Sequence, residues 1–264
     1  MKQLNARVLS NAEFLSYPGA TYFLLRINAP EIAAESKPGQ FCMLKCGPDS
    51  LLRRPLSVHA ATPSGEVDFL YDDKGMGKNW LSKMAVGSEL DIIGPLGNGF
   101  DIEEKANNIL LAAGGIGIAP LSFLAERALS LGKNVTLLAG ARCKEGLYPD
   151  ERLPSGIQKI MVVERQENGD DLPLGKITDF LPGYIDNADQ VFACGPQAML
   201  EAISKQVDNK AMAKPVQVSL EVRMGCGLGT CYGCSIKTKQ GMQRVCIEGP
   251  VFNIKDIIWQ EVTI

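Results

Sequence analysis

Three cysteines lie within nine residues near the C-terminus. The segment 223–234 reads R-M-G-C-G-L-G-T-C-Y-G-C, and a fourth cysteine follows in R-V-C-I-E-G-P, so that Cys226, Cys231, Cys234 and Cys246 have the spacing C-x4-C-x2-C-x11-C. Thiolates bind zinc and iron–sulfur clusters, and the glycines allow the loop to curl so that backbone N–H groups point at sulfur. The first three cysteines have the spacing of plant-type [2Fe–2S] ferredoxins, although the last gap is shorter than theirs.

Structural zinc is the main alternative for this segment, and free thiols are a weaker one. Four-cysteine zinc sites usually draw their ligands from two separated C-x2-C knuckles, whereas this chain clusters three ligands in one loop. Rieske ligation requires two histidines, and the sequence contains only His59. We therefore expect a [2Fe–2S] cluster held by the four cysteines.

A glycine-rich turn follows an apolar run in A-A-G-G-I-G-I-A-P-L. Gly114, Gly115 and Gly117 allow close backbone approach, and the helix that starts there favours an anion. This combination suits a pyrophosphate, with a tight turn that binds nothing as the alternative. Cys194 and Gly195, in C-G-P, follow another apolar run, where ligands of open α/β sheets collect. Cys194 is equally consistent with a small buried hydrophobic residue.

A second cation-and-glycine combination lies nearer the N-terminus. R-R-P-L-S at 53–57 places arginines beside a strand start, and Y-D-D-K-G-M-G-K-N-W at 71–80 contains another glycine turn. A guanidinium beside a glycine-lined helix start would bind a second pyrophosphate. The alternative is a pair of surface arginines and an ordinary loop.

The elements that position these residues fall into two patterns, and the fold class is β + α/β. The first hundred residues predict short strands separated by turns, which favours a closed or nearly closed antiparallel barrel. The strands are expected at 22–27, 40–46, 56–60, 67–71 and 89–93. After about Asp101, apolar runs at 135–139, 160–164 and 190–194 alternate with helical stretches, which predicts a parallel sheet. The stretch 216–223 reads as a last strand leading into the cysteines. The predicted domains are 1–102, 103–215 and 216–264.

Composition excludes several classes of protein. The chain has 264 residues and a net charge of −3, without the basic excess of a nucleic-acid-binding protein. The N-terminus lacks a signal peptide, and the longest uncharged stretch, 109–125, is too short and too broken by glycine and proline for a membrane span. We expect a cytoplasmic protein that binds neither nucleic acid nor membrane, in which eight cysteines serve metal or redox chemistry.

The order of these motifs resembles that of the ferredoxin–NADP reductase-like flavoprotein superfamily. The motifs are R-P-L-S, G-M-G, G-P-L-G-N-G-F, G-G-I-G-I-A-P and C-G-P. The resemblance implies an antiparallel Greek-key barrel that holds FAD and an α/β domain that holds a nicotinamide nucleotide. The FAD contacts that it implies are Arg54, Pro55, Leu56, Ser57, Leu70, Tyr71, Asp72, Gly77 and Lys78. The NAD contacts are Gly114, Gly115, Gly117, Cys194 and Gly195. Leu56 replaces the family's usual aromatic residue, and Lys78 replaces its usual hydroxyl.

With the C-terminal cysteine segment added, nearly the whole chain resembles the electron transfer subunits of type B dihydroorotate dehydrogenase. The resemblance implies a relay in pyrimidine (UMP) biosynthesis, in which electrons pass from an FMN-containing catalytic subunit through the cluster and FAD to NAD+. It also implies a heterotetramer with two copies of each subunit. We find no catalytic residues for dihydroorotate in this chain, which fits a subunit of a larger enzyme.

Two alternatives remain from the sequence. One is a reductase subunit of the related ferredoxin:NADP transhydrogenase or sulfide dehydrogenase type, but those carry an acidic residue where this chain has Cys226. The other is a zinc-stabilised binding module. Arg142 and Lys144 lie where a 2′-phosphate would sit, or are solvated loop cations; the resemblance implies NAD.

Overall fold

The computed structural model describes residues 1–48, 50–166, 170–209 and 214–262. The strands are β1 Lys2–Tyr17, β2 Ala20–Asn28, β3 Phe41–Leu44, β4 Arg54–Ser57, β5 Ala60–Ala61, β6 Glu66–Asp72, β7 Glu89–Leu96, β8 Asn108–Gly114, β9 Asn134–Ala141, β10 Gln158–Val163, β11 Gln190–Cys194, β12 Val216–Ser219, β13 Ser235–Thr238, β14 Gly241–Arg244 and β15 Val251–Asn253. The α-helices are α1 Pro30–Glu35, α2 Met76–Ser82, α3 Ile118–Ser130, α4 Ile177–Phe180, α5 Pro182–Ile185 and α6 Gln197–Asn209.

The N-terminal sheet curls into an antiparallel barrel. Its seven strands have the order β4-β3-β7-β1-β2-β6-β5. The two edge strands, β4 and β5, are joined by only Val58 and His59, so the chain itself closes the barrel. These two residues bond to opposite sides of the gap, since Val58 N donates to Gln40 O at 2.9 Å and His59 N donates to Asp68 O at 2.8 Å.

The strand predicted at 22–27 lies within β2, but the 16-residue strand β1 that precedes it was not predicted. Only Ala6 and Val8 of β1 are buried. Most of its side chains face solvent and are polar, so the strand lacks the alternating apolar pattern that reveals a half-buried strand. Its far end leaves the barrel and reaches the second sheet, where Gly146 packs against the Tyr17 ring.

The second sheet has the order β10-β9-β8-β11-β12-β15. Its first five strands are parallel, as the alternating pattern predicts, and β15 pairs antiparallel with β12. The predicted strand at 216–223 is wrong in its length, since β12 ends at Ser219. Leu220 N still donates to Pro250 O at 2.9 Å, and the chain then leaves the sheet. The predicted domain boundaries stay predictions; β12 and β15 both belong to this sheet.

Buried polar groups lock the barrel to the second sheet. Gln190, which is fully buried, donates from Nε2 to Asp101 O at 2.8 Å and accepts from Glu103 N at 2.9 Å. His59 is buried. Its Nδ1 atom lies 2.9 Å from Ala119 O, and its Nε2 atom lies 3.0 Å from Tyr148 Oη. These hydrogen bonds fix the position of the barrel relative to the second sheet. No helix in the described part of the chain has the length and apolarity to cross a membrane.

Candidate functional site

A cavity of about 420 Å³ lies between the barrel and the second sheet. Its walls are Phe41, Pro55, Leu56, Ser57, Leu70, Tyr71, Asp72, Lys78, Ile116, Ala119, Leu220, Glu221, Val222, Arg223, Met224 and Pro250. The volume is within the range of small-molecule sites, and mostly apolar walls with a few polar groups suit a flat, partly polar ring. Seven of the nine residues that the family resemblance assigned to FAD line it.

The other two predicted FAD residues, Arg54 and Gly77, contact each other beside the cavity. A Cβ at Gly77 would lie 2.8 Å from Arg54 Nε and 3.3 Å from Cys46 Cβ, so only glycine allows α2 to start this close to the guanidinium. Arg54 is held by its Nη1, which donates to Leu52 O at 3.0 Å. Its cation is thus fixed at the start of α2, as a phosphate-binding role requires.

The two departures from the family pattern have visible consequences. Lys78 forms an ion pair with Asp72, and both line the cavity. Among the residues that the structure describes, no side chain caps the start of α2 in place of the hydroxyl that Lys78 replaces. Leu56 lines the cavity with its aliphatic side chain and is 8% exposed. The residues present therefore fit a flavin, since they form an apolar slot with a polar edge and two cations nearby.

The cavity also contains residues that the sequence did not reveal. The stretch Leu220 to Met224 forms one wall, and it places the carboxylate of Glu221 and the guanidinium of Arg223 beside the apolar slot. Their only sequence signal is their position directly before the cysteine segment, because the wall forms when the chain leaves β12 and crosses to the barrel.

The glycine turn at 114–117 meets the C-G-P turn at the carboxyl ends of β8 and β11. A Cβ at Gly117 would collide with the backbone of Cys194 and lie 2.7 Å from Gly195 N. A Cβ at Gly114 would lie 2.9 Å from Pro196 Cδ. Four of the five predicted NAD residues thus touch one another. In this structure the need for glycine at 114 and 117 comes from packing between the two turns.

Gly115 is the glycine that faces open space. Its φ is +52°, and no atom lies within 4 Å of a Cβ built there. The next residue, Ile116, lines both the large cavity and a small hollow that also contains Tyr22 and Gly115. The turn therefore forms a wall of the cavity. Cys194 is 1% exposed, and burial raises the pKa of its thiol above the ordinary value.

The cysteine segment brings all four predicted thiols together. Cys226 interacts with Cys231, and Cys246 interacts with both Cys234 and Cys226, so the four thiols form one group. Leu228 N donates to Cys226 Sγ at 3.3 Å. All eight cysteines of the chain are free thiols. Within the described residues, no three His, Cys, Asp or Glu side chains meet in an arrangement for a single metal ion.

The thiols of Cys226 and Cys246 differ in acidity. Burial opposes ionisation of Cys226, but hydrogen bonds from the Thr230 hydroxyl and two backbone N–H groups outweigh it and lower the pKa of Cys226 to about 6. Burial and the neighbouring Cys234 raise the pKa of Cys246 to about 12. Four thiols with N–H groups directed at sulfur fit a [2Fe–2S] cluster, in which each iron takes two cysteines.

The cysteine loop shares its backbone with the cavity wall. Met224 and Pro250 line the cavity, and they are two residues before Cys226 and four residues after Cys246. Asn98, from G-P-L-G-N-G-F, fastens this region to the barrel, since its Nδ2 donates to Ile247 O at 3.1 Å and to the next carbonyl at 3.0 Å. The thiols and the cavity are therefore neighbours in a rigid arrangement.

The comparisons with solved structures first identify the class. The chain is similar to an NADH-dependent reduced ferredoxin-NADP oxidoreductase, described in connection with flavin-based electron bifurcation, with a TM-score of 0.84, 27% identity and coverage of 97% of this chain and 90% of that one. It also resembles in fold a ferredoxin NADP+ reductase from Neisseria gonorrhoeae with bound FAD and NADP, with a TM-score of 0.65, 18% identity and coverage of 79% and 92%. The chain is thus a ferredoxin reductase-like flavoprotein.

The sequence comparisons identify the family. Residues 221–258 match the iron-sulfur cluster binding domain of dihydroorotate dehydrogenase B. The chain is 34% identical over 268 residues to the dihydroorotate dehydrogenase B (NAD(+)) electron transfer subunit of Desulforamulus reducens, covering 98% of this chain and 99% of the relative. The subunit of the same name from Caldanaerobacter subterraneus is 34% identical, with coverage of 97% and 99%. The chain belongs to the family of dihydroorotate dehydrogenase B electron transfer subunits, and the predicted family and fold class are confirmed.

Proposed function

We propose that this chain passes electrons between NAD+ and a catalytic dihydroorotate dehydrogenase subunit, through FAD in the cavity and a [2Fe–2S] cluster at the four cysteines. The observation that carries the proposal is the spatial order of three sites. The glycine turn forms one wall of the cavity through Ile116, and the cysteine segment forms another through Met224 and Pro250. FAD exchanges a hydride with a nicotinamide and single electrons with a cluster, so it belongs between the other two sites.

The residues of the chain would bind and orient the groups of this relay. We assign the flavin ring to the slot between Leu56 and Tyr71, and the FAD phosphates to the cations of Arg54 and Lys78. Gly115, with open space above it, would allow the nicotinamide nucleotide to approach the flavin edge.

The residues that bear on the choice between NAD and NADP are Arg142 and Lys144, which follow β9. Lys144, one of the two cations that the sequence places near a 2′-phosphate, forms an ion pair with Asp170 at 3.0 Å. We propose NAD, as the family resemblance implies, and the mostly exposed Lys144 pair contributes little to the choice. The names of the relatives, which specify NAD(+), agree with this choice.

We further propose that the partner is an FMN-containing catalytic subunit that oxidises dihydroorotate to orotate in pyrimidine biosynthesis, in a heterotetramer with two copies of each subunit. The cysteine loop offers a docking face for it. Leu228, Tyr232 and Ile247 are 38%, 65% and 40% exposed, and Cys231 among them is also exposed. Apolar side chains around an exposed redox site suit a partner that must bring its own cofactor close. The thiol-rich chain is expected in the reducing cytoplasm.

Two measurements test this function together. The purified native chain should show flavin and iron–sulfur absorption bands, with one FAD and two irons per chain. Purification from the native host should recover a second subunit that contains FMN and oxidises dihydroorotate. A preparation that contains zinc and no flavin would contradict the proposal and support a zinc-stabilised binding module.

A second candidate is a reductase subunit of a ferredoxin–NADP transhydrogenase-type complex. The favouring observation is the fold likeness, at a TM-score of 0.84, to the NADH-dependent reduced ferredoxin-NADP oxidoreductase. Cys226 weighs against it, since the family resemblance puts an acidic residue at that position. Reduction of added ferredoxin by NADPH, without any reaction with dihydroorotate, would favour this candidate.

A further inference from the structure

We propose that Arg244 positions the ligands of the cluster and thereby sets its reduction potential and its lifetime. The inference rests on the proposed cluster at the four cysteines and concerns a residue to which that function assigns no role. Arg244 lies two residues before Cys246, and its side chain is 28% exposed. It touches each of the three chain segments that carry the four thiols.

The first contact fixes the guanidinium itself. Arg244 Nη2 donates to Glu248 Oε1 at 2.7 Å, and Arg244 Nε donates to Glu248 Oε2 at 3.4 Å. The same carboxylate accepts from the backbone N of Arg244 at 2.6 Å. The pair brackets Cys246 at minus two and plus two and holds that segment in a tight turn.

The second contact reaches the loop between Cys226 and Cys231. Arg244 Nη1 donates to Gly229 O at 2.9 Å. The backbone N–H of the same glycine lies near the Cys246 thiol. Gly229 has φ +80°, and a Cβ there would lie 2.7 Å from Ile247 Cγ1. Arg244 therefore holds the carbonyl of Gly229, and the N–H of the same residue lies near the sulfur of a ligand, Cys246.

The third contact is with Tyr232, which lies between Cys231 and Cys234. The guanidinium carbon of Arg244 lies 5.2 Å from the centre of the Tyr232 ring, a cation–π distance. Tyr232 has φ +57° and is the only non-glycine residue with positive φ in the described part of the chain. Residues with a side chain rarely adopt this conformation, so it requires support from its surroundings. Arg244 provides part of that support.

These contacts predict an effect on the cluster beyond ordinary stability. Hydrogen bonds to sulfur and nearby charge are among the factors that set the reduction potential of an iron–sulfur cluster. Loss of the fork between Gly229 and Glu248 would loosen the backbone at Gly229, whose N–H lies near the Cys246 sulfur. The cluster would then be harder to reduce, and its ligands would exchange more easily with solvent.

The test uses the complete chain with its cofactors and three variants. Arg244→Gln removes the charge and the fork, and Arg244→Lys keeps the charge without the fork. Lys237→Gln is the matched control: it breaks the 2.7 Å ion pair with Glu261 in the same C-terminal segment, at a pair that is about half exposed. The measurements are the cluster midpoint potential in an EPR-monitored titration, with bound FAD as internal reference, and the rate of cluster bleaching by an iron chelator.

We expect Arg244→Gln to lower the midpoint potential of the cluster and to leave that of FAD unchanged. The cluster of this variant should bleach roughly tenfold faster, because one hydrogen bond from a charged group is lost. Arg244→Lys should bleach faster than the wild type, and Lys237→Gln should match the wild type. If Arg244→Gln takes up no iron, Arg244→Lys provides the comparison. Wild-type potential and bleaching rate in both Arg244 variants would overturn the proposal, as would equal changes in Lys237→Gln. A wild-type chain without an iron–sulfur signal would instead overturn the proposed function beneath it.

Discussion

Gly115 and Gly117 lie in the same turn, and the structure predicts opposite consequences of replacing them. A Cβ at Gly117 collides with the backbone of Cys194 and lies 2.7 Å from Gly195 N, with no flexible side chain that can move aside. Overpacking of this kind costs about 1–3 kcal/mol. For a chain of this size, that corresponds to a fall in melting temperature of roughly 2–4 °C for each kcal/mol. Gly117→Ala is therefore expected to destabilise the fold.

Gly115→Asn should do the reverse. The φ of +52° is tolerated by asparagine, and a Cβ at this position meets nothing within 4 Å, so the melting temperature should change little. The new side chain would occupy the open space beside the cavity, and we expect NADH to reduce the bound FAD at least about tenfold more slowly, equivalent to about 1.4 kcal/mol of lost binding.

The assay combines thermal unfolding with stopped-flow reduction of FAD by NADH. Gly132→Asn is the control, because Gly132 also has positive φ and open space but lies beyond α3, away from the cavity. Two results would refute the reasoning: a Gly117→Ala variant as stable as the wild type, or a Gly115→Asn variant that NADH reduces at the wild-type rate.

Two further predictions follow from single contacts. Arg54→Ala should weaken FAD binding by about 1.5–3 kcal/mol, measured as the FAD dissociation constant after dialysis. The control is Arg53→Ala, which breaks an ion pair with Asp91 at 2.6 Å and should retain FAD. Equal loss of FAD from both variants would contradict the assignment. His59→Gln should reduce the pH dependence of stability. Burial lowers the folded-state pKa of His59, so the wild type should lose stability as the pH falls below about 6.5, the unfolded value; identical melting curves of both proteins between pH 7 and 5 would argue against this.

The cysteine loop and the parallel strands could be predicted well, because each is encoded by a short, continuous stretch of sequence. The spacing of Cys226, Cys231 and Cys234 lies within one loop, and the nearby glycines have few other uses, so the thiol cluster could be recognised without any knowledge of the fold. The parallel strands were equally clear, since a strand buried on both faces is a nearly continuous apolar run. The family and fold inferred from the order of the motifs are confirmed by the comparisons.

Features that depend on long-range packing escaped the sequence. Strand β1 is stabilised by two partner strands but buries few side chains, so its polar sequence carries little strand signal. The stretch 220–224 looked like the end of a strand, and only its path from β12 to the barrel makes it a cavity wall. Gly117 was expected to make room for a ligand, but its closest neighbours are Cys194 and Gly195, which are about 80 residues away in the chain.

The most direct test of the relay is a comparison of two electron-transfer reactions in Cys231→Ser, with the partner subunit present. A serine hydroxyl is a harder and far less acidic ligand than a thiol, so this variant should lose its cluster. NADH should still reduce FAD at the wild-type rate, because the cavity and the glycine turn are intact. Reduction of NAD+ by dihydroorotate should fall to background. Dihydroorotate-driven NAD+ reduction that persists in a variant shown by iron assay to lack the cluster would contradict the relay.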